Sequence, residues 1–215
     1  MDTLYWNTVN DKLRESLLLF MENEIFNDFR LVGGTSLSLQ LGHRLSVDID
    51  LFTDVMHKAI DFETIDQFLR KNFNYVSSPT DVSIGFGRSY ILGESRNDSI
   101  KLDLYQTETF LEEPIVSENL RLAGIREIGA MKMDVIQRGG RKKDFWDIHE
   151  LLNRFSIDQL ITLHELKYPY NHEKKLLIHN LTDFSKADEE PDPICLKGNY
   201  WELVKLDIIE AVELL

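Results

Sequence analysis

The sequence is poor in cysteine, in long apolar runs and in positive charge. Cys195 is the one cysteine in 215 residues, which excludes an internal disulfide and a cysteine-built metal cluster and fits a cytoplasmic protein, where thiols stay reduced. No stretch approaches the roughly 20 consecutive apolar residues that a membrane helix needs. The amino-terminal MDTLYWNTVNDKL has neither the basic head nor the apolar run of a secretory signal. Nucleotide-binding signatures are missing too. No GK[ST] follows Gly33-Gly34, so there is no P-loop, and GGTSL is not the GxGxxG of a dinucleotide fold. The stretch after Asp50 lacks the DxDxDG ladder of an EF-hand. There is no repeat, no low-complexity tract and no clear linker.

Basic residues number 24 against 37 acidic ones, a formal net charge of -13. Such a chain repels nucleic acid at long range, so a polynucleotide partner has to meet a local basic patch. One segment qualifies. Between Arg126 and Lys143, Arg126, Lys132, Arg138, Arg141, Lys142 and Lys143 stand against Glu127 and Asp134, a local excess of four positive charges.

Hydrophobic content of 43% is ordinary for a folded domain, and its spacing predicts the elements. Val9, Leu13, Leu17, Phe20 and Met21 recur at helical steps within residues 8 to 27. Phe29 to Val32 reads as a short strand broken by Gly33 and Gly34. Thr35 or a neighbour then caps a helix from about Ser36 to Leu41, which Gly42 stops. Val47 to Phe52 alternates, with Val47, Ile49 and Leu51 on one face and Asp48 and Asp50 on the other. Phe62 to Phe73 is helical. Val82 to Leu92 and Ser99 to Tyr105 form strands joined by a turn-rich Gly93 to Asp98, and the second puts Lys101, Asp103 and Tyr105 opposite Ile100, Leu102 and Leu104. Beyond Pro114 helices are expected over Ile125 to Arg138, from about Lys143, over Ile157 to Leu166 and over Tyr200 to Leu214, with an exposed acidic loop from Lys186 to Pro193. Pro114 is the one candidate boundary, dividing residues 1-113 from 114-215.

Asp48, Asp50 and Asp103 make a plausible cage for hard divalent cations, Mg2+ or Mn2+, of the kind that binds a nucleotide's phosphates. Backbone amides of Gly33, Gly34 and Thr35 at a helix start are oriented toward an anionic phosphate. Asp103 either completes a second metal site or acts as a base toward an acceptor hydroxyl. Asp144 and Asp147 lie one helical turn apart, Asp147 being the weaker candidate. His43 reads as structural, and Arg44 as a phosphate contact or an ion-pair partner of the Asp48/Asp50 pair.

Strand, GG[ST], short helix, DxD and a later strand aspartate resemble the nucleotidyltransferase signature of the DNA polymerase beta superfamily. Val32-Gly33-Gly34-Thr35, Leu41-Gly42-His43-Arg44, Ser46-Val47-Asp48-Ile49-Asp50-Leu51-Phe52, Ile100 to Tyr105, Ala130-Met131-Lys132-Met133-Asp134 and Arg138 to Ile148 look like the AbiEii/AbiGii toxin family, which includes the MenT nucleotidyltransferases. The likeness covers roughly residues 28 to 152. It implies an α+β, polymerase-beta-like nucleotidyltransferase fold: a small mixed sheet flanked by helices, then a helical C-terminal lobe. It implies transfer of a nucleoside monophosphate from an NTP to an acceptor such as RNA or tRNA, in a type IV toxin-antitoxin or abortive-infection system with a cognate antitoxin. Lys132 and Asp144 would join Asp48, Asp50 and Asp103 as catalytic residues; Arg141 and Lys142 are the expected acceptor contacts. The competing reading is a non-catalytic nucleotide- or RNA-binding regulatory module of the same fold.

Overall fold

The computed structural model describes residues 3–55, 60–78 and 86–215. After a 3-10 turn at Trp6–Thr8, helix α1 (Asp11–Glu22) is capped by the Asn10 side chain, which accepts from Leu13 N at 2.8 Å. Strand β1 (Arg30–Leu31) leads into α2 (Gly33–Leu41), then β2 (Asp48–Thr53) and α3 (Phe62–Asn72). The Asp61 carboxylate caps α3 through Thr64 N. Strands β3 (Tyr75–Ser77), β4 (Gly87–Ser95) and β5 (Asp98–Gln106) follow, then β6 (Ile115–Ser117) and β7 (Leu120–Leu122). The remaining elements are helical: α4 (Ile125–Gln137), α5 (Lys142–Leu151), α6 (Ile157–Lys167), α7 (Lys174–Leu181) and α8 (Trp201–Glu213). Among the described residues no helix is long and apolar enough to cross a membrane.

The seven strands form one mixed sheet in the order β3-β4-β5-β2-β1-β7-β6. β2 runs parallel to β5 with Asp48 opposite Lys101 and Asp50 opposite Asp103. The period-two alternation buries Ile49, Leu51, Leu102 and Leu104 against Leu13, Leu17 and Phe20 of α1, with Ile65 and Leu69 of α3 in the same cluster. The opposite face carries the aspartates and looks toward the helical part of the chain. There a second apolar cluster gathers Ile128, Met133 and Ile136 of α4, Phe145, Trp146 and Ile148 of α5, and Trp201 and Val204 of α8. Val32, Leu37 and Leu41 belong to this second cluster, so α2 packs on the helices although it grows from the sheet.

Three expectations change. The helix after β1 begins at Gly33 itself, with Val32 as its cap and Thr35 already inside it. The helix expected from Ile125 starts there as α4, but the stretch between Pro114 and it is not helical: β6 and β7 pair as a hairpin and β7 joins β1. β3 and α7, neither of them expected, fill the stretches Tyr75–Ser77 and Lys174–Leu181. Within the strand expected over Val82 to Leu92, residues 82–85 lie outside the described residues, Phe86 is in a turn, and β4 takes up the rest from Gly87.

Candidate active site

A cavity of about 530 Å³ opens between the polar face of the sheet and helices α4 and α5. Gly33, Gly34, Arg44, Asp48, Asp50, Lys132, Arg141 and Asp144, expected as site residues from the sequence, line it, whereas Thr35 and Asp103 do not; Lys143, Asp134, Arg138, Phe52, Met131, Tyr168 and Asn171, none of them expected as a site residue, line it too. Its size is that of a small-molecule site.

The glycine pair has a steric cause. Gly33 sits at φ +66, and a Cβ there would collide with Asp50 Oδ2; a Cβ on Gly34 would collide with Arg44 Nη2. Two side-chain-free residues thus let the carboxylate and the guanidinium close on the backbone from two sides. Ser36 N is the first amide of α2 bonded back, to Val32 O at 3.4 Å, so the N–H groups of Gly33, Gly34 and Thr35 have no carbonyl one turn behind them. The Thr35 hydroxyl is buried and committed: it lies 2.8 Å from Ser46 Oγ and donates to the Asp48 carbonyl. Thr35 therefore has no side-chain donor to spare, and of the expected glycine-turn residues only Gly33 and Gly34 line the cavity.

Asp147, expected to be the lesser aspartate of α5, organises the opposite wall. It is fully buried and accepts a two-pronged bond from Arg44, Nε to Oδ1 at 2.7 Å and Nη2 to Oδ2 at 2.8 Å. His43 Nε2 donates to Oδ1 at 2.7 Å, and Lys132 Nζ lies 2.6 Å from Oδ2. Lys132 also donates to Asp144 Oδ1 at 2.7 Å. Asp144 Oδ2 in turn accepts from Arg141 N at 3.1 Å, which caps α5. Arg44 hence pairs with Asp147, 103 residues away, and not with Asp48 or Asp50.

The charges follow from these contacts. Burial works against the Asp147 carboxylate, yet the charges of Arg44 and Lys132 and the bond from His43 hold it well below the ordinary 3.8. Burial likewise opposes ionised Asp144, and Lys132 outweighs it, so that carboxyl too is lowered. For Lys132 burial disfavours the ammonium, while Asp144 and Asp147 raise its pKa. Asp50 is the contrary case: burial, then the charges of Asp103 and Asp48, push it up to about 6 against the pull of Lys132 and Lys101.

Asp48, Asp50 and Asp103 share a sheet face, but among the described residues no three His, Cys, Asp or Glu side chains gather tightly enough to hold a metal ion. Asp48 and Asp50, with phosphate oxygens of a bound nucleotide, suit one hard divalent cation. Asp103 does not join them, because its Oδ2 accepts from Lys101 Nζ at 2.5 Å while its Oδ1 is buried without a hydrogen-bond partner. Lys143 Nζ stands 3.4 Å from Asp48 Oδ2.

Of the two expected acceptor contacts, Arg141 is exposed at the cavity and Lys142 is not. The Lys142 side chain is buried, bonds Asp192 at 3.0 Å and lies 5.1 Å from the centre of the Trp201 ring. It points into the helical core because it opens α5 on the side that packs against α8. The Lys186 to Pro193 segment, expected as a free loop, supplies that partner, and its Glu190 carboxylate accepts from Lys142 N at 2.9 Å.

Residues 17–213 match the family model described as nucleotidyl transferase AbiEii toxin, type IV TA system, so the match runs through the C-terminal third, where no motif was legible. An uncharacterised protein of Aquifex aeolicus (strain VF5) is 32% identical over 185 residues, covering 82% of this chain and 84% of that one. Among solved structures, a candidate nucleotidyltransferase of H. pylori superposes with a TM-score of 0.61 at 19% identity, over 95% of this chain and 94% of the other. MenT4, a nucleotidyltransferase toxin of Mycobacterium tuberculosis H37Rv, does so with a TM-score of 0.58 at 16% identity, over 95% and 83%. At these identities the structural likeness is one of fold: the mixed sheet and its helices form a nucleotidyltransferase fold.

Proposed function

Because the chain belongs to the AbiEii family of nucleotidyltransferase toxins of type IV toxin-antitoxin systems, we propose that it moves a nucleoside monophosphate from an NTP to a hydroxyl at an RNA or tRNA end. The observation that carries this reading is the cavity itself, in which the bare amino-terminal amides of α2 face Asp48 and Asp50 across from Lys132. In this reading two lobes meet at the cavity, the sheet lobe bringing the carboxylates and the helices from α4 onward bringing Lys132 and Asp144; because β6 and β7 complete the sheet, the division falls after Leu122 and not at 114. The reaction belongs to the cytoplasm, where NTPs and RNA meet, and a cognate antitoxin is the proposed regulatory partner.

The amides of Gly33, Gly34 and Thr35 bind the triphosphate at the positive end of α2. A divalent cation held by Asp48 and Asp50 supplies charge neutralisation on those phosphates. The acceptor oxygen attacks the α-phosphorus, the bond from it to the bridging oxygen of the β-phosphate breaks, and pyrophosphate leaves. Asp103 Oδ1 takes the acceptor proton. Two of the three Lys132 donors are spent on Asp144 and Asp147; the third is free for a phosphate oxygen. Arg44, with its fork held by Asp147, supports the glycine turn from beneath and is a positioning residue.

The test is label transfer from each α-labelled NTP to total bacterial RNA. Wild type should label RNA with at least one NTP, and Asp48→Asn should lower the rate by roughly a hundredfold. Binding of NTP and RNA by wild type with no transfer would refute the enzyme and favour the non-catalytic module. Label on protein in place of RNA would move the acceptor to a protein hydroxyl.

A further inference from the structure

We propose that Lys101 stands in for a second metal ion, holding Asp103 for the acceptor so that the site takes one divalent cation. The inference rests on the nucleotidyl-transfer reading above.

The sheet brings this ammonium among the carboxylates. Lys101 and Asp103 are two residues apart on β5 and so share its polar face; neither lines the cavity itself, but the parallel register sets Lys101 opposite Asp48 and Asp103 opposite Asp50, which do. From there the ammonium donates to Asp103 Oδ2 at 2.5 Å. The result is that the three carboxylates do not assemble into a three-ligand metal group among the described residues, although they lie on one face. Asp103 is divided in two: one oxygen is neutralised by a permanent cation, the other is buried and unbonded. A divalent ion on that second oxygen would stand a few ångströms from the ammonium and be repelled by it. A proton donor such as an acceptor hydroxyl meets no such penalty.

Neither lysine that lines the cavity is placed for this task. Lys132 is buried between Asp144 and Asp147, and Lys143, on α5, reaches Asp48 at 3.4 Å and not Asp103. Lys101 keeps 43% of its side chain exposed, and its two remaining donors are free for the oxygens that carry charge during transfer.

The deciding measurement counts Mn2+ by anomalous diffraction in crystals grown with an α,β-methylene NTP analogue. Wild type and Lys101→Arg should each show one ion, bound between Asp48, Asp50 and the phosphates; Lys101→Met should show two, the second on Asp103. In label transfer Lys101→Met should lose at least tenfold in kcat with little change in the KM for NTP, and Lys101→Arg should restore part of it. Two ions in wild type, or one ion in both wild type and Lys101→Met, would overturn the role of Lys101 while leaving nucleotidyl transfer intact. Analogue bound with no Mn2+ in any variant would overturn the metal-dependent reading, and the substitution by Lys101 with it.

Discussion

Asp147 neutralises more buried positive charge than any other residue described around the cavity: Arg44 twice, Lys132 and a bond from His43 all end on one fully buried carboxylate. Removing one partner from a buried ion network leaves the others uncompensated, at a cost of about 3–5 kcal/mol. Asp147→Asn should therefore lower the urea unfolding free energy by about that amount, whereas Asp158→Asn, which is 67% exposed and whose partner Lys174 is 54% exposed, should cost at most about 1 kcal/mol. The pH dependence has a definite sign. Native Asp147 and Asp144 titrate below the 3.8 of the unfolded chain, so their stabilisation is complete above 3.8 and is lost as pH falls through the lower native values. The stability gap between wild type and Asp147→Asn should be constant from about pH 5 to 7 and shrink below about pH 4; a gap that widens in acid would contradict the assignment. At Gly33 the expected cost is local. Alanine must adopt the left-handed φ, about 1–2 kcal/mol, and displace Asp50, so Gly33→Ala should weaken NTP binding measured by calorimetry more than tenfold. Strand alternation placed Asp48, Asp50 and Asp103 on one face from the sequence alone, and the glycine pair pointed to the turn. Asp147 was undervalued and Lys143 given no role at the site because their partners lie more than 90 residues away, which spacing along one helix does not record; Lys101 differs, since the alternation put it on the face of its partner Asp103, two residues on, and only the register with β2 shows what that ammonium faces.

The longer elements were legible because each carries its own hydrophobic period, and the ones that were missed do not. β6 and β7 have three residues each and meet at Glu118 and Asn119, both at positive φ. That is the backbone of a two-residue hairpin turn without the glycine that usually announces it. The turn is held from outside, Glu118 accepting from Leu4 N at 3.2 Å and Trp6 Nε1 at 2.7 Å. α6 was expected, and Leu160, Ile161 and Leu163 pack it into the cluster of α4, but its attachment there is also ionic. Lys167 and Glu127 are both buried and pair at 2.7 Å, while Glu127 also accepts from Leu111 N at 2.6 Å and Lys167 reaches the carbonyls of Glu108 and Thr109 at 3.3 Å. The pair thus ties two helices to the loop whose Thr107 and Glu108 line the cavity. Lys167→Met should cost about 3–5 kcal/mol in chemical denaturation, by stranding Glu127, and the double variant Lys167→Met/Glu127→Gln should recover a good part of that loss. Additive losses would mean that the two residues act independently.

At the scale of the molecule, a net charge of -13 faces a proposed polyanionic acceptor, and the basic segment from Arg126 to Lys143 is far less free than its sequence suggests. Arg126 pairs with Glu112, Lys132 with Asp144 and Asp147, and Lys142 with Asp192. Arg138, Arg141 and Lys143 also have carboxylate partners, but these three line the cavity, with the two arginines more than half exposed. An acceptor RNA end can thus displace about three counterions and not six. For single strands the logarithm of affinity falls with the logarithm of salt by about 0.7 per phosphate neutralised, which gives a slope near -2 for three contacts and near -4 for six. Binding of a labelled RNA measured between roughly 50 and 300 mM salt should follow the shallower line. Arg141→Glu should weaken it with little change in stability, while Lys142→Glu should act in the opposite way, lowering stability by breaking the buried contacts with Asp192 and Trp201. A slope near -4 would mean that RNA opens the internal pairs of this segment on binding, and the acceptor surface would then have to extend onto α5 and the Lys186 to Pro193 loop.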